Sequence, residues 1–429
     1  MRKRVFGLRK SASTWSIVLI GIGMWFASPS FAQRDPYGIA QAAFLARDRN
    51  QFPLAIKLFD EALAQGLFED RQRGLILYGR GVSYDALGSH DRALADLDAA
   101  VALLPDLADV YLYRGIIWGD KGAYPRALQD FLTAAKLNPN NPLVFINLGK
   151  VYERLGDLSR AIENFDLAIR LKADDPNAYY NRARAYVLKE DNERALADFD
   201  KSILLQPNFK DAYVDRAIVH VMRREITSAL TDLDTAIGLD PRDVNARANR
   251  ATINLGIEKY EAALTDFNQA LLISPGDAAL YLRRGQTHLF AGEIDLAIAD
   301  FLIAVRIRPT NPYTAIWLHI ARVHKGEDDR EEVLGNTKNV KIDVWPSTVL
   351  DLYVGTRSVE DVLAAAQKGR LAEKAERDCE AKFFIGEFAF HRGEIRQARE
   401  AFSEVISTCG PQEGVYGAAI AESKLLPKP

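Results

Sequence analysis

The sequence predicts an all-α protein, built as a solenoid of about nine stacked helix-turn-helix hairpins with capping helices at its C-terminal end. Three observations predict this fold class: a motif that recurs every 34 residues, small residues at two fixed places in it, and a proline that follows most copies. The composition agrees, since 48% hydrophobic and 26% charged residues argue against a largely disordered chain. The formal net charge of −3 gives no basic surplus for binding nucleic acid.

The second helix of each hairpin is predicted from an alanine that recurs at an interval of 34 residues. The alanines are Ala93, Ala127, Ala161, Ala195, Ala229, Ala263 and Ala297. Phe or Leu follows each of them by four residues, and Ala or Ser follows by seven. These offsets lie on one face of a helix. A proline five residues later ends that helix in six of the seven copies.

The first helix of each hairpin is marked by a small residue twelve positions before that alanine. These residues are Gly81, Gly115, Gly149, Ala183, Ala217, Ala251 and Gly285. Small residues at a helix crossing let two antiparallel helices approach closely, and larger neighbours fill the groove beside them. One such hairpin cannot bury its apolar face alone, so the hairpins are expected to stack.

The 34-residue motif resembles the tetratricopeptide repeat, over residues 74–310 without a gap. A weaker copy around Ala55 and Phe59 extends the contiguous run to eight units over residues 36–310, and a detached copy around Gly386 and Phe402 makes nine. The resemblance implies a right-handed superhelix that binds other proteins. We expect an irregular helical linker over residues 311–378, a repeat-like hairpin over 379–410, and a capping helix and tail over 411–429.

An arginine and an aspartate occur together in six of the nine copies and are both missing from the other three. The arginine precedes the small crossing residue, and the aspartate lies three positions after the marker alanine, as in Arg114 and Asp130. The fourth copy has Leu148 and Asn164 instead. Because the arginine and the aspartate are missing from the same copies, we expect them to form an ion pair between the two helices of one repeat. The alternative is a ladder of arginines that faces a ligand.

The family's peptide groove is formed by the first helices, and carrying its contact positions over gives twelve candidate protein-binding residues. They are Tyr78, Val82, Leu112, Ile116, Ile146, Lys150, Tyr180, Arg184, Val214, Ile218, Leu282 and Gln286. The family's carboxylate clamp needs Lys at positions that here hold apolar or tyrosine side chains, so such a clamp is not expected. The groove is mostly apolar, which suits an apolar helix or extended segment of a partner. The alternative is that several of these residues pack inside the superhelix.

The C-terminal region carries a finer resemblance. The segments 345–355 (WPSTVLDLYVG) and 379–387 (CEAKFFIGE) are similar to the end of the NlpI family of bacterial envelope lipoproteins. That resemblance implies an adaptor, often dimeric, that presents cell-wall hydrolases to a carboxy-terminal processing protease. The chain departs from the family in having no lipid-attachment cysteine and more repeats. An assembly scaffold for an envelope secretion or polysaccharide-export complex is the alternative function.

The two cysteines, Cys379 and Cys409, bracket the last hairpin. One opens its first helix and the other closes its second, so both are expected at the same end. An even count suits an oxidising compartment. A disulfide that closes the hairpin is the prediction, and two free buried cysteines are the alternative.

The N-terminus has the pattern of a secretory signal peptide over residues 1–32. Five Lys or Arg residues precede an apolar run, and Ser30-Phe31-Ala32 places small residues where a signal peptidase reads them. Cleavage after Ala32 would leave a periplasmic, non-lipidated protein with a formal net charge of −8, without a membrane span. An uncleaved membrane anchor is the alternative.

No sequence motif indicates catalysis, a cofactor or a metal. Zinc-protease, nucleophile-elbow and phosphate-loop patterns are missing from the sequence, and the six histidines are scattered. His319 and His324 are five positions apart, which does not align them on one helical face. We therefore expect a non-enzymatic scaffold whose partners are envelope proteins, with a homodimer as a further option.

Overall fold

The computed structural model describes residues 35–66, 68–337, 345–410 and 414–427. The expected signal peptide and its cleavage site lie outside these ranges. Within them every regular element is a helix, as the fold class predicts. The chain divides into two compact units, which meet in sequence at Gln206 and Pro207 and are described separately.

The first unit consists of five antiparallel hairpins, each formed by two consecutive helices. Its helices are α1 (Pro36–Asp48), α2 (Phe52–Gln65), α3 (Asp70–Ala86), α4 (His90–Leu103), α5 (Ala108–Asp120), α6 (Tyr124–Leu137), α7 (Pro142–Arg154), α8 (Leu158–Leu171), α9 (Pro176–Leu188) and α10 (Asn192–Leu205). The second helix of each of the first four hairpins also contacts the first helix of the next one. The predicted stacking of hairpins is therefore present.

The second unit begins with three more hairpins and continues into a different C-terminal part. Its helices are α11 (Lys210–Met222), α12 (Ile226–Leu239), α13 (Val244–Gly256), α14 (Tyr260–Ile273), α15 (Ala278–Phe290), α16 (Ile294–Ile307), α17 (Pro312–Lys325), α18 (Arg330–Thr337), α19 (Ser347–Tyr353), α20 (Val359–Ala366), α21 (Leu371–His391), α22 (Ile395–Thr408) and α23 (Tyr416–Leu425). The hairpin α21–α22 is the detached repeat.

The marker positions form the centre of each hairpin. All seven marker alanines are fully buried, and so are the Phe or Leu side chains four residues after them. At Gly149 an added Cβ would lie 2.4 Å from the ring of Phe165, and at Gly115 it would lie 2.7 Å from Phe131. Glycine is needed there because the aromatic ring of the second helix occupies the space of a side chain.

The turn between the two helices of a hairpin uses a residue in the left-handed region. Glycine supplies it at Gly88, where φ is +75°, and at corresponding positions in other repeats. Repeats without that glycine place Glu190, Arg224 or Glu258 in the same conformation, with φ near +60°. The hairpin geometry therefore sets this backbone conformation even where the residue disfavours it.

The six predicted Arg–Asp pairs are present, and each joins the two helices of one repeat. In each pair the arginine Nε and Nη2 donate to the two carboxylate oxygens of its aspartate at 2.5–2.9 Å. In the fourth repeat Leu148 is buried, and the Asn164 side chain instead donates to the backbone oxygen of Arg160. The pairing confirms the structural interpretation of the joint loss.

The structure adds a second contact that the sequence comparison did not predict. Nη1 of the same arginine also donates to a polar residue on the second helix of the preceding hairpin, in a contact that recurs along the repeats. The contacts are Arg80 to Asp60, Arg114 to Asp98, Arg182 to Asp166, Arg250 to Asp234 and Arg284 to Asn268, at 2.5–2.8 Å. One guanidinium therefore ties a hairpin together and also ties it to its neighbour.

The C-terminal part contains the expected helical linker, hairpin and final helix, and it differs from the prediction in where the hairpin begins. Helices α17–α20 form the linker, and α21 begins at Leu371, eight residues before Cys379. Cys379 therefore lies within the first helix of the hairpin and does not open it. A capping box begins α20, in which the side chains of Ser358 and Asp361 each accept a hydrogen bond from the other residue's backbone N–H.

A disulfide joins Cys379 of α21 to Cys409, which directly follows α22. Their Cα atoms are 6.0 Å apart, and both residues are buried. Between this hairpin and α17 lies an aromatic core in which Trp317 stacks on Phe383. The bond therefore fastens the two helices at the edge of that core.

Candidate protein-binding surface

The twelve predicted groove residues lie on α3, α5, α7 and α9 of the first unit and on α11 and α15 of the second. Five of them are buried: Leu112, Ile116, Ile146, Val214 and Gln286. Ile218 is exposed, and the other six are half-buried. The alternative of packing within the repeats therefore applies to several of these side chains.

The accessible part of this surface in the first unit is less apolar than the sequence suggests. Its half-buried members are Tyr78, Val82, Lys150, Tyr180 and Arg184. The aliphatic residues among the predicted contacts instead fill the space between neighbouring helices, as Leu112 and Ile116 do in the core around Phe131. Apart from Val82, the side chains that face outward are aromatic or basic.

Two neighbouring clusters make up this accessible surface. The rings of Tyr78 and Tyr113 meet edge to face, with centroids 5.4 Å apart. One repeat pair further on, the Arg184 guanidinium lies over the Tyr180 ring and its Nη2 is 3.4 Å from a Glu153 carboxylate oxygen. Aromatic and arginine side chains are the types that dominate binding energy at protein interfaces.

Lys150 lies in an environment that disfavours its charge. Burial, together with the smaller effect of the nearby positive charge of Arg184, lowers the pKa of Lys150 to about 8, while Glu153 and Asp120 act in the opposite direction. A folded-state pKa below the unfolded value of about 10.4 means that the unfolded chain binds more protons between those two values. The contribution of Lys150 therefore opposes folding at neutral pH and fades as the pH rises.

Replacing this charge is expected to stabilise the protein. We expect Lys150→Met to raise the free energy of unfolding at pH 7, with a difference from the wild type that shrinks steadily between about pH 8 and pH 10.5. Denaturant unfolding across this pH range measures it. Lys136→Met, on the exposed side of α6, is the matched control and should leave the pH dependence unchanged. A Lys150→Met difference that is constant with pH would contradict the assignment.

In the second unit the chain's own C-terminal helix lies against part of the corresponding surface. Helix α23 follows α22 and also contacts α13 and α15. Gly417 packs on the backbone of Gly256, and Lys424 pairs with Glu258. The helix expected to cap the end of the stack therefore reaches back over the first helices of earlier repeats.

Sequence reasoning missed a cluster of His and Glu side chains in the second unit. His324 of α17 and Glu387 and His391 of α21 bring ligand-type atoms within 4.8 Å of one another. A Glu and a His four positions apart on one helix could have signalled it. The contribution of His324, more than 60 positions earlier in the chain, could not be seen without the tertiary structure.

Within the described ranges, no helix has both the length and the apolar character needed to span a bilayer.

Family models of the tetratricopeptide repeat match several segments of the chain. A model described as tetratricopeptide repeat matches residues 41–108, 214–278 and 249–312, a second matches 176–209, and a TPR repeat model matches 120–156 and 154–189. Together they span more than half of the chain. The chain belongs to the tetratricopeptide repeat family. As a tetratricopeptide repeat protein it is a scaffold for protein–protein interaction. No curated protein matches it significantly in sequence.

Several solved tetratricopeptide repeat structures are similar to this repeat protein. YrrB, a TPR protein with an unusual peptide-binding site, shares 24% identity at a TM-score of 0.37, covering 43% of this chain and 95% of YrrB. A tetratricopeptide repeat protein from Parabacteroides merdae shares 22% identity at 0.47, covering 58% and 99%. PilF from Pseudomonas aeruginosa shares 14% identity at 0.44, covering 48% and 94%.

Proposed function

We propose that this repeat protein is a periplasmic adaptor of the NlpI type, which holds a cell-wall hydrolase for a carboxy-terminal processing protease. The observation that carries the proposal is the C-terminal module. The two segments that resemble the NlpI family come together there, because Trp345 Nε1 donates to Glu380 Oε2 at 2.6 Å. The hydroxyl of Tyr313 donates to the same oxygen at 2.8 Å, which joins α17 to both segments.

The repeats supply the surface that would hold a client. In the first unit Tyr180 and Arg184 are accessible and adjacent, whereas in the second unit α23 covers part of α13 and α15. We therefore place client binding on the first unit. The accessible tyrosines and Arg184 favour a partner segment with apolar and acidic side chains.

Affinity capture from the envelope fraction of the source cells tests the proposal. We expect the mature protein to recover a processing protease together with a peptidoglycan hydrolase, and purified protease to degrade that hydrolase faster when the adaptor is added. Recovery of secretion or polysaccharide-export subunits in their place would contradict the adaptor function and favour the assembly-scaffold alternative.

A charge reversal on the client surface should distinguish specific client binding from non-specific binding. We expect Arg184→Glu to weaken hydrolase binding by at least about tenfold, because interface arginines often contribute 2 kcal/mol or more. Lys136→Glu, an equal charge change on exposed α6, should bind as the wild type does. Equal binding by all three proteins, measured by calorimetry, would remove the surface around Arg184 from the proposal.

A further inference from the structure

Four ionisable side chains converge in the interior of the second unit. They are His324 on α17, Glu387 and His391 on α21, and Glu422 on α23. The side chains of Glu387 and Glu422 are 0% and 1% exposed, and those of His324 and His391 are 11% and 13% exposed. Such a set is costly to bury unless something compensates its charges and polar atoms.

Five polar atoms of this cluster have no hydrogen-bond partner. His324 Nε2, His391 Nε2, both carboxylate oxygens of Glu387 and Glu422 Oε2 are buried and have no hydrogen-bond partner. Other histidines of this unit do have one, such as His288, whose Nδ1 lies 2.6 Å from Glu293 Oε2. Buried polar atoms without a partner are therefore concentrated where α17, α21 and α23 meet.

The ligand-type atoms of His324, Glu387 and His391 lie close enough together to surround one ion, and Glu422 meets this group through His324. His324 Nε2 lies 3.5 Å from Glu387 Oε2 and 3.5 Å from Glu422 Oε2, and His391 Nε2 lies 3.4 Å from Glu387 Oε2. Hydrogen bonds would bring these atoms to about 2.7–3.0 Å. Ligand bonds of about 2.1 Å to a tetrahedral Zn²⁺ separate neighbouring ligand atoms by about 3.4 Å.

The charges of the cluster also match a divalent cation. Two carboxylates and two neutral imidazoles around a 2+ ion sum to zero, which removes the penalty of burying the carboxylates alone. Without a cation, burial raises the pKa of both Glu387 and Glu422 to about 8 and lowers the pKa of His391 to about 3. Imidazole together with carboxylate is a donor set that suits Zn²⁺ and its first-row neighbours.

We propose that His324, Glu387, His391 and Glu422 form a structural site for one divalent transition-metal ion, of which Zn²⁺ is the type. These four side chains supply one ligand atom each, enough for a four-coordinate ion held by protein atoms alone, as in structural rather than catalytic zinc sites. The ion fastens the C-terminal helix α23 to α17 and α21. Since α23 also lies on α13 and α15, the site holds that helix over the first helices of the repeats.

Zn²⁺ titration of the tag-free, chelator-stripped full chain tests the site. Calorimetry should give one ion per chain for the wild type, and His391→Ala and Glu387→Gln should each bind more than about 100-fold more weakly, since even outer partners of metal ligands cost 10–100-fold. His288→Ala removes a hydrogen-bonded histidine outside the cluster and should bind as the wild type. No binding by the wild type, unchanged binding by His391→Ala, or equal loss in His288→Ala would each overturn the proposal.

Two measurements on the wild type do not depend on whether the variants fold. Bound Co²⁺ should give the intense visible absorption of a four-coordinate ion, and weak six-coordinate bands would contradict a closed site. Chelation should speed amide exchange in α23, which the ion holds, while leaving exchange in α3–α10 of the first unit unchanged. Exchange in α23 that is the same with and without Zn²⁺ would show that the ion does not fasten this helix.

Discussion

Asp130→Ala is expected to destabilise the protein by about 3–5 kcal/mol. Asp130 is 5% exposed, and its two oxygens accept from Nε and Nη2 of Arg114, which is itself 19% exposed. Removing the carboxylate leaves this mostly buried guanidinium with only the exposed Asp98 as an acidic partner, and a poorly compensated buried charge is costly. Urea unfolding followed by circular dichroism measures the loss.

The second contact of the same arginine supplies a matched control. Asp98 accepts from Nη1 of Arg114 at 2.8 Å but is 56% exposed, so Asp98→Ala should cost less than about 1 kcal/mol. Equal losses of stability in the two variants would mean that burial does not determine how much an ion pair stabilises the protein.

The fourth repeat suggests how the loss at Asp130 could be recovered. It replaces the pair by a buried Leu148 and by Asn164. The double variant Arg114→Leu with Asp130→Asn should therefore be more stable than Asp130→Ala, because it leaves no stranded charge. A double variant that is less stable than Asp130→Ala would contradict this interpretation.

Reduction of the Cys379–Cys409 disulfide is expected to cost about 3–4 kcal/mol in the stability of the C-terminal hairpin. The bond closes a loop with a sequence separation of 30, and the loss of loop-closure entropy in the unfolded chain predicts that size. Thermal unfolding with and without reductant measures the effect, and thiol counting under denaturing conditions verifies reduction.

The double variant Cys379→Ser with Cys409→Ser is the control for that experiment. It should unfold at the lower temperature of the reduced wild type and should not respond to reductant. A shift caused by reductant in this variant would show that the reagent acts elsewhere. Wild-type unfolding that is insensitive to verified reduction would mean that the aromatic core around Trp317 holds the hairpin without the bond.

The repeated hairpins could be predicted because the information is local and recurs. The residues equivalent to Ala127 and Phe131 lie on the same helical face in each of the seven regular copies. Each repeat therefore tests the assignment made for the others. The Arg114–Asp130 pair was predictable for the same reason, since its joint loss in the fourth repeat is visible in the sequence. The extra contact to Asp98 was not, because it depends on how far apart neighbouring hairpins stack.

The binding surface was only partly predictable. The family's contact positions predict that both Leu112 and Lys150 contact a partner. In the structure Leu112 is buried between helices, whereas Lys150 borders solvent. Exposure at a given register depends on the side chains of the adjacent repeat, which periodicity does not report.

The sequence by itself determined the helix-turn-helix period, the positions that pack at each crossing and the residues that pair across it, because all of these follow from helical spacing within one repeat. The tertiary structure alone decided where α23 lies and which ionisable groups meet beside it. His324, Glu387 and Glu422 are separated by at least 35 positions from one another, and only packing of three helices brings their side chains together. Local periodicity carries no information about such contacts, since they depend on how elements distant in sequence pack in space.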